Sequence, residues 1–128
     1  MTVEEINNVL FDNKLFNKVE MIGKERISIT TGCVYDNKSD IVLEVAHIGG
    51  ALALTDNGRT RAFLDEVFEL TEPDVVRNIL NVSDYYGIST KGKQLSIHIG
   101  EKGNEFIQGY LKMMYCIGFL NDMSIFFE

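Results

Sequence analysis

The sequence predicts an α+β fold: one domain over residues 1–128, with an antiparallel β-meander packed against three to four helices. Three observations lead there. Apolar and polar residues alternate with a period of two between residues 19 and 55, in short runs divided by turn residues. Helical spacing of apolar residues marks both ends of the chain and residues 59–87. Strands and helices therefore arrive in blocks, which favours α+β over alternating α/β. Tight turns between successive strands imply antiparallel pairing, because parallel neighbours need long crossovers.

The elements follow in order. Thr2 and Glu5 have the spacing of a capping box, and Val3, Ile6 and Leu10 follow at helical intervals, which predicts a first helix to about residue 10. Val19 and Met21, then Ile27, Ile29, Thr31, Cys33 and Tyr35, read as two strands broken at Gly23-Lys24. The cluster from Asp36 to Asp40 is a turn, and residues 41–48 form a well-buried strand. Gly49-Gly50 signals a two-residue hairpin, because both residues tolerate positive φ, and residues 51–55 return as the next strand.

Asp56-Asn57-Gly58 ends the meander, with Asp56 or Asn57 placed to cap a helix over residues 59–68. Thr71-Glu72-Pro73-Asp74 starts another helix, with Val75, Val76, Ile79, Leu80 and Tyr86 marking its buried face and Gly87 stopping it. Residues 88–90 and 94–99 flank Lys91-Gly92 as a second hairpin, and a last helix runs from about residue 104 to about residue 120.

A chain of 128 residues has the usual length of one domain. It buries about two-thirds of its unfolded surface without disulfide or metal. The net charge of -7 repels phosphate backbones, so direct nucleic-acid binding is not expected. No apolar run approaches the ~20 residues that span a bilayer. The start at Met1-Thr2-Val3 lacks the features of a secretory signal. The expected location is therefore cytoplasmic, with no membrane contact. Cys33 and Cys116 each lie in an apolar segment and read as buried thiols.

No Gly-rich phosphate loop, zinc spacing or nucleophile elbow is present, so no cofactor, metal or catalytic residue is assigned. His47 at a strand end, the turn carboxylate Asp56 and the nearby Arg59 are the residues from which a polar site would be built. For Asp56 the simpler role is an Asx turn and a cap.

The meander leads into Leu54-Thr55-Asp56-Asn57-Gly58. After it come a helix pair, the segment Tyr85-Tyr86-Gly87-Ile88, a hairpin and a C-terminal helix. On these features, from about Asn7 to Leu120, the chain resembles the uncharacterised bacterial and phage family called domain of unknown function eighteen twenty-eight. The resemblance implies a bacterial or mobile-element setting and brings no catalytic residues with it.

Two surfaces are candidates for partner binding. Asp65, Glu66, Glu69, Glu72 and Asp74 form an acidic stretch that is either a solvated face or a contact for a basic surface. The macrodipole accounts for Glu72 and Asp74 at a helix start. In the last helix the stripe of Phe106, Tyr110, Met113, Ile117 and Leu120 is widened by Met114 and Phe119, and Ile125-Phe126-Phe127 follows. A helix apolar nearly all round is either central to the core or shared with a partner. Met113, Met114, Phe119, Phe126 and Phe127 are thus the expected homodimer contact.

The expected function is a non-enzymatic protein-interaction domain. In this reading a phage or mobile-element inhibitor uses its acidic surface on the basic groove of a host nucleic-acid-handling machine. The alternative is a small-ligand or enzymatic domain around His47, Asp56 and Arg59.

Overall fold

Five strands form one antiparallel sheet in sequence order: β1 (Lys18–Met21), β2 (Ile27–Val34), β3 (Asp40–Ile48), β4 (Ala51–Thr55) and β5 (Ser96–His98). Among the described residues four helices complete the α+β domain: α1 (Val3–Asp12), α2 (Arg59–Val67), α3 (Pro73–Tyr85) and α4 (Gly103–Phe126). The structure is a computed structural model. It describes the chain apart from residues 14, 16–17, 24, 68–72 and 127–128, and apart from the side chains of residues 67, 74–75 and 124–126.

Local chemistry explains most of the boundaries. The Thr2 hydroxyl accepts the Glu5 N–H at 3.1 Å and opens α1. Gly49 and Gly50 have φ of 61° and 80°, and the pair Ile48↔Ala51 closes the two-residue turn between β3 and β4. Gly87, with φ of 71°, stops α3 just past its last residue: Ile88 N–H donates to the Ser83 carbonyl and Gly87 N–H to that of Asp84. This pair of bonds is a Schellman motif, and it satisfies carbonyls the helix would leave open.

One sheet face carries the core. Ile27, Ile29, Leu43, Val45 and Leu54 cluster there with Ile6 and Leu10 of α1, Phe63 and Leu64 of α2, and Ile79 of α3. α4 crosses the middle and touches the other three helices as well as β4 and β5. Its Phe106, Tyr110, Met113, Ile117 and Leu120 are all buried at helical spacing. Each such side chain contributes about 1.5–3 kcal/mol by leaving water.

Four expectations are corrected. α4 does not stop near residue 120. It continues through Asn121 and Asp122 because Met123 reaches the core and the Asn121 side chain accepts the Asp36 N–H at 2.8 Å. The segment at residues 88–90 is not a full strand. Only the isolated bridge Ser89↔Ser96 forms, and a 3-10 turn over Lys91–Lys93 leads to β5.

Cys33 is exposed rather than buried. Between the pairs Thr30↔Val42 and Val34↔Asp40, β2 advances four residues while β3 advances two. This bulge breaks the alternation, leaving Gly32, Cys33 and Val34 outside and returning Tyr35 to the core. Finally, Leu80 is exposed although the spacing of α3 puts it on the apolar face, where Ile79 and Ser83 are the buried residues.

Candidate functional site

The polar residues near the end of β4 separate into a structural centre and a shallow pocket. Asp56 is fully buried, and its carboxylate is occupied by backbone. Oδ1 accepts the N–H groups of Gly58 and Leu95, both at 2.9 Å, and Oδ2 accepts that of Thr60 at 3.0 Å. One side chain thus closes the turn, supplies a partner at the start of α2 and ties both to the segment before β5. The neighbouring Thr55 hydroxyl accepts the Asn57 N–H at 3.0 Å.

Arg59 serves a different group. Glu44 on β3 is almost fully buried although it alternates to the sheet face opposite the core. Arg26 Nη2 lies 3.1 Å from its Oε1, and Arg59 Nη1 lies 3.5 Å from its Oε2. Two half-exposed guanidinium groups thereby cover one buried carboxylate, the pairing that a charge out of water requires.

His47 is exposed and, by strand alternation, shares the face of Leu43 and Val45. It therefore does not converge with Arg59. A pocket of about 320 Å³ is bordered by His47, Arg26, Thr55, Asn57 and Gln94, but neither Asp56 nor Arg59 lines it. The trio read from the sequence is thus dispersed: one residue caps, one pairs with Glu44, and one borders a pocket.

Of the acidic stretch, Asp65 and Glu66 are exposed on α2, and Glu66 accepts a hydrogen bond from the Asn37 side chain at 3.1 Å. Glu69 and Glu72 lie outside the described residues. Asp74 belongs to the first turn of α3, but its side chain also lies outside them.

The apolar surface differs from the stripe read in the sequence. Met113 is fully buried in the chain's own core, and Met114 is half-buried against it. Phe119 is 55% exposed, and it follows the 61% exposed Tyr115 and the exposed Leu111 at four-residue spacing. Tyr86 approaches Tyr115 with ring centroids 6.5 Å apart, and Tyr85 packs edge-on to Tyr86 at 5.0 Å while remaining 82% exposed. Phe127 and the side chain of Phe126 lie outside the described residues. Tyr115 and Tyr85 were missed by the sequence reading, because α4 is apolar on nearly every side and exposure is set by which face the core takes.

The two thiols differ. Burial pushes the Cys116 thiol up to about 11, with the Ser83 hydroxyl 4.0 Å away partly opposing that rise. Among the described residues no three His, Cys, Asp or Glu side chains are grouped to hold a metal, and no helix is long and apolar enough to cross a membrane. No family model, curated protein or solved structure matches the chain.

Proposed function

We propose that this domain works by protein–protein contact, through the aromatic face formed by α4 and the end of α3. The carrying observation is the exposure of Tyr85, Tyr115 and Phe119 in one continuous surface with Tyr86. Exposed aromatic rings side by side are costly in water and are enriched at interfaces, where they bring large area with few rotamers to fix. The half-exposed Leu111 extends the surface by one helical turn. The net charge of -7 favours partners with basic surfaces elsewhere on the domain, and the exposed Asp65 and Glu66 on α2 are the described part of that acidic contact. An inhibitor from a phage or mobile element that occupies a basic nucleic-acid-binding groove is the form of this reading that the family resemblance supports.

A photoreactive phenylalanine analogue at position 115 tests the contact face in cells, with the same analogue at the exposed position 102 as control. Protein adducts at position 115 that are absent at 102 support the reading. Equal or no capture at the two positions refutes it.

A further inference from the structure

We infer that the occupant of the α4 face is a second copy of this chain, docked antiparallel to α4 about a two-fold axis at the level of Ile117. The inference rests on reading that face as a protein contact, and it adds two independent observations.

The first is a glycine without an internal reason. Gly109 and Gly118 both lie inside α4. A Cβ at Gly109 would fall 2.5 Å from Cγ2 of Ile99, so the approach of α4 to the segment after β5 demands glycine there. Among the described residues a Cβ at Gly118 would meet nothing within 4 Å, and its φ is not positive. Glycine inside a helix is destabilising relative to alanine, and among the described residues nothing compensates at residue 118. It flanks the exposed stripe, where the lack of a side chain lets another backbone approach closely.

The second observation is self-complementarity. Ile117 is midway between Tyr115 and Phe119, and also midway between Lys112 and Asp122. In an antiparallel pair centred there, Tyr115 lies opposite Phe119 of the second copy, and Lys112 lies opposite Asp122 of the second copy. A two-fold contact repeats both pairings, so each aromatic ring meets an aromatic ring and each charge meets its opposite twice. Lys112 and Asp122 are both exposed and make no ion pair with each other within one chain.

Charge exchange tests this arrangement in sedimentation equilibrium of the full chain. The parent is expected to be in monomer–dimer equilibrium across the micromolar range and mostly dimeric towards millimolar concentration. Lys112→Asp and Asp122→Lys each place like charges at both ends of the contact and should weaken the dimer by at least about tenfold. Mixing the two single variants restores both opposite-charge pairs, as does the double variant, and both should recover the parent's association. Gly118→Gln should give a monomer that melts no lower than the dissociated parent, which separates a blocked contact from a failure to fold. A monomeric parent overturns the inference, as does a dimer indifferent to the three single substitutions. If a monomeric parent still gives heterologous adducts at position 115, the second copy is wrong and the contact face stands. If it gives none, both are wrong.

Discussion

Asp56 and Leu95 are bonded to each other twice: the Leu95 N–H donates to Asp56 Oδ1 at 2.9 Å, and the Asp56 N–H donates to the Leu95 carbonyl at 3.1 Å. Through this pair the end of β4 and the start of the β5 segment are held together, although α2 and α3 intervene in the chain. Replacing the carboxylate with Asp56→Ala orphans three backbone N–H groups and should cost about 3 kcal/mol or more. Asp56→Asn keeps the Oδ1 acceptor and should cost only about 1 kcal/mol, for the bond to Thr60. Urea unfolding of the two variants measures the difference, and equal costs would mean that charge, not acceptor geometry, holds the turn.

The Glu44 cluster predicts non-additivity. Either arginine alone can cover part of the carboxylate, so Arg26→Ala and Arg59→Ala should each cost about 1 kcal/mol, reduced by the half-exposure of both guanidinium groups. The double variant leaves the buried charge unpaired and should cost about 3–5 kcal/mol, more than the two single losses together. A strictly additive cycle would show that water reaches Glu44 once the arginines are gone.

Stability should fall in base. Burial pushes the Tyr35 phenol up to about 12 from its ordinary 10.0, the hydrogen bond with Thr60 opposing only in part. Between those values the unfolded chain has lost the proton and the folded one retains it. The stabilisation is therefore complete below pH 10 and is lost as pH rises towards 12. Cys116 acts in the same sense between 9.0 and about 11. Together they should remove a few kcal/mol over this range. Tyr35→Phe with Cys116→Ala should flatten the decline in melts taken from pH 8 upward, and an unchanged slope would assign it to other groups.

Thiol labelling should be biphasic. Cys33 is exposed at the β2 bulge and Cys116 is buried, so a neutral-pH thiol reagent should modify one group quickly and the second only as the chain unfolds. Two fast groups would place Cys116 near the surface, and two slow ones would restore the regular β2 strand.

Much of this fold was legible because short-range chemistry and long-range packing agree. Thr2 with Glu5, Gly49-Gly50, Asp56 and Gly87 each specify a local geometry that the tertiary structure retains. Sequence reasoning failed where tertiary contacts decide. The β2 bulge reverses the side of Cys33 without any residue that is forbidden in a strand. Asn121 reads as a helix stop, yet its side chain is held by the Asp36 N–H from a distant turn. Glu44 reads as an outward polar residue in a strand, and only the positions of Arg26 and Arg59 bury it. The contact face was misread for a related reason. Apolar content alone does not say which side of α4 meets the core, so Met113 was grouped outward and Tyr115 left out.

The central claim is that the Tyr115 and Phe119 face of α4 meets a second copy of the chain. Fluorine NMR of the protein carrying fluorotyrosine at its five tyrosines tests it most directly, by following each resonance as the protein is concentrated from the low micromolar to the millimolar range. The Tyr115 resonance should move along a binding isotherm while those of the buried Tyr35 and Tyr110 stay fixed. A Tyr115 resonance that is constant across the whole range would contradict it.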